Sequence, residues 1–197
     1  MVAQRDIGQE WTVEQYLETE AWSNLRHEFV GGRVYAMAGG DQNHSRISIN
    51  VTALLADRLF DRPGNPCAVF NTDMMVRLAN ERDHVYPDAS VTCDGRDLAD
   101  PGAILIRYPR LVVEVLSDST ERYDRGAKFE LYCERGTLDE YVLVDAHEVG
   151  VEVRSRIADG SWTTGAYGPG DDVVLHTVDL VVPIAAFYRG IAFSHHP

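Results

Sequence analysis

The stretch with the clearest pattern spans residues 111–145 and has the sequence LVVEVLSDSTERYDRGAKFELYCERGTLDEYVLVD. Its first six residues form an almost unbroken apolar run, which is typical of a strand covered on both faces. Possible N-caps follow at 117–120, and the segment to Glu134 predicts a helix that Gly136 ends. A second buried strand is predicted at 140–144. Because a strand, a helix and a strand of these lengths imply a right-handed parallel crossover, the stretch indicates an α/β or α+β protein.

Upstream of the crossover, the sequence predicts two helices separated by a hairpin. A capping-box pattern at 12–15 begins a short helix that ends at about Glu20. A hairpin is predicted over 27–37, where two glycines at 31–32 suit a two-residue turn. Apolar residues at helical spacing then predict a longer helix over 41–60.

Shorter strands are predicted on both sides of these elements, where apolar segments alternate with polar turns. They lie at 67–71, 74–78 and 85–91, before a loop-rich insertion at 93–109, and again from 149–154 onward. The predicted class is therefore α/β (α+β), a mixed β-sheet flanked by helices with an N-terminal β-hairpin. Because no repeat, low-complexity tract or linker divides the sequence, we predict a single domain over residues 1–197.

Composition limits the class of protein further. The 197 residues are 45% apolar and 25% charged, which is ordinary for a globular domain. The sequence lacks an apolar run of the roughly 18 residues that a membrane helix needs, and residues 1–11 lack the pattern of a secretory signal. We therefore expect a cytoplasmic protein without membrane contact. Cys67, Cys93 and Cys133 are an odd number without metal-type spacing, so they are predicted to be packing residues in a reducing compartment.

Acidic residues outnumber basic residues, and the basic residues are almost all arginines. The formal net charge of −13 argues against passive attraction to nucleic acid, whose phosphates are neutralised by Lys and Arg. Bound divalent cations or a local arginine-lined face would be needed to offset it. Of the 18 basic residues, only Lys128 is a lysine. A compact ammonium that can donate a proton cannot be replaced by a guanidinium, so Lys128 is a candidate for chemistry; the alternative is chance survival in an arginine-favouring genome.

Glu114 lies in the middle of the first buried strand of the crossover. A buried, unpaired carboxylate costs several kcal/mol or more, so something must compensate it. A metal ion, a buried Arg or Lys, or a proton taken up through a raised pKa could do so. The alternative is a glutamate at the strand end that pairs with a nearby arginine.

Asp88 follows Pro87, a residue that removes a hydrogen-bond donor from the strand and predicts a bend. If its strand neighbours that of Glu114, the two carboxylates could share one oxygen-rich site suited to Mg²⁺. The crossover would pack the helix of Lys128 across the same region. The alternatives are a turn-capping aspartate and a solvated lysine. For His44, near the start of the long helix, a capping or core role is favoured over contact with a substrate.

Three motifs in this order resemble the PD-(D/E)XK nuclease superfamily. They are YPD at 86–88, LVVEVLS at 111–117 and DRGAK at 124–128. Three further segments are similar to the Uma-type family of restriction endonucleases: RHEFVGG at 26–32, KFELY at 128–132 and EYVLVD at 140–145. The resemblance covers about residues 12 to 190, and it implies a restriction-endonuclease-like core in which a helix precedes three strands, a second helix and a fourth strand.

The resemblance also implies a function: hydrolysis of phosphodiester bonds in nucleic acid, most simply DNA, with Mg²⁺ or Mn²⁺ as cofactor. Asp88 and Glu114 would bind the metal. Leu116 occupies the position at which the superfamily usually has lysine, so Lys128 would be a migrated catalytic lysine. Glu28 in the hairpin would be an accessory acidic residue near the metal, or in the alternative a partner of an arginine.

Two other classes of protein remain open. A catalytically inactive nucleic-acid-binding or regulatory module could retain the same fold, and the acidic net charge favours it. An interaction protein could assemble through the apolar segment 104–106, which could equally be another strand. The intact set of Asp88, Glu114 and Lys128 favours the enzyme. The same apolar segment, together with the need of many nucleases to meet two strands, predicts a homodimer.

Overall fold

The computed structural model describes residues 10–37 and 39–193. Its strands are, in chain order, β1 (His27–Val30), β2 (Arg33–Ala36), β3 (Ala68–Asn71), β4 (Met75–Arg77), β5 (His84–Val85), β6 (Ala89–Thr92), β7 (Leu105–Ile106), β8 (Pro109–Leu116), β9 (Glu140–Asp145), β10 (Val151–Arg156), β11 (Trp162–Tyr167), β12 (Asp172–Leu175) and β13 (Leu180–Pro183). Its helices are α1 (Val13–Glu20), α2 (Gln42–Phe60), α3 (Glu121–Tyr123) and α4 (Phe129–Cys133), with a π-helix at Asp124–Lys128 and 3₁₀ turns at His176–Val178 and Ile184–Ala186.

The strands of the described residues form two sheets and one separate hairpin. The larger sheet has the order β11-β10-β9-β8-β6-β3, and the smaller sheet has the order β2-β1-β5-β4-β7. In the larger sheet, β8 and β9 are parallel and all other neighbours are antiparallel. The parallel pair confirms the predicted crossover, and the architecture confirms the predicted mixed α+β class.

The two faces of β8 pack against different helices. Val113 and Val115 belong to the core cluster that contains Ile47 and Val51 of α2. Val112 and Leu116 belong to a second cluster, which contains Tyr132 of α4. Because side chains alternate along a strand, Glu114 lies on the face of the π-helix and α4. Each fully buried aliphatic side chain contributes about 1.5–3 kcal/mol, so this register is strongly specified.

The predicted N-terminal elements are confirmed. The Thr12 side chain accepts a hydrogen bond from the Gln15 amide, and the Gln15 side chain accepts one from the Thr12 amide, which completes the capping box of α1. Gly31 and Gly32 have φ values of +60° and +81°, a conformation that favours glycine in a two-residue turn. Asp41 caps α2.

The segment 85–91 was predicted as one strand, and this prediction is wrong. The structure has two short strands there, β5 in the smaller sheet and β6 in the larger sheet. Pro87 lies in the break between them, where it cannot donate a ladder hydrogen bond. The insertion 93–109 also contains more structure than predicted, since β7 lies within it and β8 begins at its last residue.

The helix predicted up to Glu134 is interrupted. It consists of one turn of α-helix, the π-helix and a second short α-helix. Thr120 is the N-cap residue, but its side chain makes no capping hydrogen bond. Gly136, with φ +70°, follows the helical segment as predicted.

The prediction for the cysteines is wrong for two of the three. Cys67 and Cys93 form a disulfide, while Cys133 is free. The two half-cystines flank the antiparallel pair Ala68 and Thr92, so they face each other across β3 and β6. This pairing depends on strand register, which the spacing of cysteines in the sequence does not reveal. Among the described residues, no helix combines the length and apolar character that crossing a bilayer requires.

Candidate active site

Asp88 is placed by the break between β5 and β6. Ala89 pairs with Val113, so the preceding Asp88 lies beside Glu114 at this end of the strand pair. The Val115 amide donates a hydrogen bond of 2.7 Å to Asp88 Oδ2. This bond fixes one carboxylate oxygen of Asp88, whose side chain lines the same pocket as Glu114.

Glu114 is 3% exposed on β8. Its Oε1 lies 3.0 Å from Lys128 Nζ, although no donor among the described residues makes a well-aligned hydrogen bond to that oxygen. Burial raises the pKa of Glu114 well above its ordinary range; Lys128 opposes this shift, and Asp124 and Asp88 add to it. The carboxylate therefore favours any further positive charge that reaches the pocket.

Lys128 is the centre of a buried cluster of charges. Its ammonium lies 2.9 Å from Glu28, 3.0 Å from Glu114 and 3.7 Å from Asp124. Burial alone would lower the pKa of Lys128, but the three carboxylates outweigh it and raise the pKa well above its ordinary value. The lysine is therefore a charged donor rather than a base.

The π-helix sets the position of Lys128. It spans Asp124–Lys128, and the Tyr141 hydroxyl donates a hydrogen bond of 2.9 Å to the Asp124 carbonyl within it. Single π-turns inside helices are rare and occur frequently at functional sites. Here the turn brings both Asp124 and Lys128 to the buried side of the helix.

Glu28 connects the N-terminal hairpin with the site. It is 4% exposed, its Oε1 accepts a hydrogen bond of 3.2 Å from the Tyr86 amide, and the same oxygen contacts Lys128. Glu28 thus holds the lysine and the chain segment that leads into Pro87 and Asp88. Among the ion pairs given for the described residues, the cation that contacts Glu28 is Lys128, whereas the predicted alternative was an arginine.

His44 approaches the site from α2. Its backbone amide bonds to the capping Asp41, while its ring Nε2 lies 3.5 Å from Asp88 Oδ2. Burial lowers the pKa of His44, but the hydrogen bond and charge of Asp88 prevail and raise it. Gly40 makes this placement possible, because a Cβ there would lie 2.4 Å from the ring. The His44 side chain therefore lines the pocket, and only its backbone amide takes part in the helix cap.

These side chains line one pocket. Four carboxylates contribute to it, from Glu28, Asp88, Glu114 and Asp124, against one lysine ammonium. Among the described residues, no group of three or more His, Cys, Asp or Glu is arranged to enclose a metal ion. Mg²⁺ does not require such a cage, because it is commonly held by one or two carboxylates and keeps several waters. Such an ion fits the oxygen ligands, the excess of negative charge and a Glu114 oxygen for which the described residues supply no hydrogen-bond donor.

The structure brings together all four predicted site residues, Glu28, Asp88, Glu114 and Lys128. Sequence reasoning missed Tyr123, which lines the same pocket. In a regular α-helix a residue five positions before Lys128 points roughly 140° away from it. The π-helix changes this relationship, and the sequence carried no signal for it.

The chain matches the Uma2 family model, described as "Putative restriction endonuclease", over residues 13–185. Two proteins of Synechocystis sp. are similar in sequence. The uncharacterized protein slr1290 is 39% identical over 180 residues, which are 91% of this chain and 92% of that protein. The uncharacterized protein sll1609 is 30% identical over 151 residues, 77% of this chain and 84% of that protein.

A similar fold has been solved by crystallography. The crystal structure of "a putative nuclease belonging to DUF820" from Anabaena variabilis has a TM-score of 0.74, covering 90% of this chain and 97% of that chain at 16% identity. This likeness shows a shared fold. Because the family model spans most of the sequence and the similar proteins match along most of their length, this chain belongs to the Uma2 family.

Proposed function

We propose that this chain is a metal-dependent endonuclease that hydrolyses phosphodiester bonds, with DNA as its substrate. The observation that carries the proposal is the buried Lys128, held between Glu28 and Glu114 in a pocket that Asp88 also lines. Burying an ammonium among several carboxylates costs desolvation energy, so its presence here is better explained by function than by stability. The family description and the nuclease-like fold support the same reaction class.

Asp88 and Glu114 would hold the metal, Mg²⁺ or in its place Mn²⁺. The ion, when bound, polarises the phosphate and lowers the pKa of a bound water. Lys128 positions the attacking water and stabilises the charge that develops on the phosphate. Glu28 orients Lys128 through their contact of 2.9 Å. His44 steadies the Asp88 carboxylate from the side of α2.

The direct test is cleavage of plasmid DNA, single-stranded DNA and RNA by the purified protein with Mg²⁺, Mn²⁺ or EDTA. We expect metal-dependent cleavage by the wild-type protein and its loss in Asp88→Asn. Asp94→Asn is the matched control, because Asp94 is paired with Arg96 outside the pocket. Cleavage that persists in Asp88→Asn, or that EDTA does not affect, contradicts the proposal.

An inactive nucleic-acid-binding or regulatory module is the second candidate. The net charge of −13 favours a regulatory module over one that binds nucleic acid. Non-specific affinity for DNA rests largely on cationic side chains, which this chain has in deficit. The cleavage assay separates the two functions. An inactive module of either kind would leave the nucleic acids uncleaved under every metal condition.

We also propose that the protein forms a homodimer through the apolar segment 104–106. Ile104 is 60% exposed. The neighbouring strand β7 pairs with β4 and lies at the edge of the smaller sheet, where its other side could pair with a second copy. Light scattering after size exclusion should give the mass of a dimer, and Ile104→Asp should reduce it to that of a monomer. A monomeric mass at all concentrations contradicts this proposal.

A further inference from the structure

The pocket that holds the carboxylates is also lined by four residues that carry hydroxyl groups. They are Ser117, Ser119, Thr120 and Tyr123, which lie between the end of β8 and the start of the π-helix. The Ser117 hydroxyl is 3.0 Å from that of Ser119 and 3.0 Å from that of Thr120. These three hydroxyls therefore have partners among themselves, whereas Tyr123 differs from them.

The Tyr123 hydroxyl is buried and has no hydrogen-bond partner among the described residues. Buried polar groups in folded proteins almost always have a partner, and leaving one without a partner costs stability. Because Tyr123 lines the pocket, a ligand bound there could supply the hydrogen-bond partner that its hydroxyl lacks among the described residues. The ring lies beside the catalytic candidate Lys128, with the ammonium 5.9 Å from the ring centroid, at the outer limit of a cation–π contact.

The chemistry of the phenol limits what it can contact. Burial raises the pKa of Tyr123 well above its ordinary value, with the charge of Glu28 acting in the same direction and that of Lys128 against it. The hydroxyl therefore stays protonated and is available as a neutral hydrogen-bond donor. A neutral donor suits an anionic oxygen, and among the described residues it donates to none of the surrounding carboxylates.

We propose that the Tyr123 hydroxyl binds a non-bridging phosphate oxygen of the substrate, as a catalytic residue beside Lys128. This inference rests on the proposed nuclease function and names the group that receives the phosphate. The Lys128 ammonium already contacts three carboxylates, which limits the hydrogen bonds that it can donate to a phosphate. The Tyr123 hydroxyl supplies a further donor for the phosphate. The three linked hydroxyls at 117–120 extend the same polar wall.

Tyr132 provides a matched control on the same helical segment. Its hydroxyl is also buried without a partner among the described residues, and its ring packs against Tyr141 at 5.8 Å. Unlike Tyr123, it is absent from the pocket lining and belongs to the hydrophobic core. Tyr132→Phe and Tyr123→Phe thus remove the same atom from the same kind of environment, and they differ in access to the pocket.

The first measurement is thermal melting together with the kinetics of DNA cleavage. Because neither hydroxyl has a hydrogen-bond partner within residues 10–37 and 39–193, both variants should retain or raise the Tm. Tyr123→Phe should lower kcat/KM by roughly 10- to 100-fold, the effect of losing a hydrogen bond to a charged group, while Tyr132→Phe cleaves as the wild-type protein does. Equal cleavage by Tyr123→Phe and the wild-type protein overturns the inference and leaves the proposed nuclease function intact.

The second measurement does not depend on catalysis. The probe is inorganic phosphate, added to the protein with Mg²⁺, and the readout is the rise in Tm above that given by Mg²⁺ alone. The wild-type protein and Tyr132→Phe should show this rise, and Tyr123→Phe should lose most of it. The same rise in all three proteins, or no rise in the wild-type protein, overturns the inference whether or not cleavage is observed.

Discussion

Lys128 Nζ lies 3.0 Å from Glu114 Oε1, and both side chains are almost completely buried. The pair joins β8 to the π-helix, which lies in the crossover between the parallel strands β8 and β9. A buried ion pair is weak evidence for stability, because desolvation offsets most of its attraction. The presence of this ion pair in an acidic pocket is better explained by the proposed catalytic function of the pocket.

Removal of the lysine charge should be strongly destabilising. Lys128→Met leaves the carboxylates of Glu28, Glu114 and Asp124 buried without their common cation. We expect a loss of about 3–5 kcal/mol in the free energy of unfolding, the usual consequence of breaking a buried pair. Urea unfolding measures it. Glu114→Gln should stabilise the Lys128→Met protein more than it stabilises the wild-type protein, and an equal effect in both backgrounds would contradict the coupling.

The raised pKa of Glu114 predicts a pH dependence of stability. Burial raises the folded-state pKa, so the group contributes stability that is present below about pH 4.3 and lost as the pH rises through the folded-state value. Without added metal, Glu114→Gln should therefore have a higher Tm than the wild-type protein at pH 8. The advantage should shrink toward pH 5. Melting curves across this range check it, and a constant difference between the two proteins would refute the assignment.

The neighbourhood of His44 gives a prediction about a glycine. A Cβ at Gly40 would lie 2.4 Å from the His44 ring, whereas a Cβ at Gly39 would have no neighbour within 4 Å in the part of the chain that the structure describes. Gly40→Ala should therefore displace the ring from Asp88 and lower metal-dependent cleavage several-fold, roughly the effect of removing one hydrogen bond. Gly39→Ala is the matched control and should cleave normally.

A double-mutant cycle separates this effect from a general loss of structure. In the His44→Ala background there is no ring to displace, so Gly40→Ala should cause no further loss of cleavage. If Gly40→Ala reduces activity equally in both backgrounds, the glycine acts through something other than His44.

Much of the fold and of the candidate site followed from the sequence. The capping box of α1, the hairpin with Gly31-Gly32 and the crossover around β8 and β9 are local patterns, and each was predicted correctly. Glu114 stood out because a charge in an apolar strand must be compensated. Lys128 stood out because it is the only lysine in the chain.

The features that were missed depend on tertiary structure. The disulfide between Cys67 and Cys93 requires the register of β3 against β6. The division of 85–91 between two sheets depends on which partners each half finds. Tyr123 reaches the pocket because a π-helix replaces the regular helical period, and helical spacing in a sequence assumes that period.

The most direct test of the account is DNA cleavage by Lys128→Arg in Mg²⁺ or Mn²⁺, measured beside thermal melting of the same protein. Arginine preserves the positive charge but not the compact geometry of the ammonium, and small misplacements at a reacting centre are costly. We predict that Lys128→Arg loses most of the cleavage while its melting remains cooperative and close to that of the wild-type protein. Cleavage near the wild-type rate by this variant would contradict the role of Lys128 as the catalytic lysine.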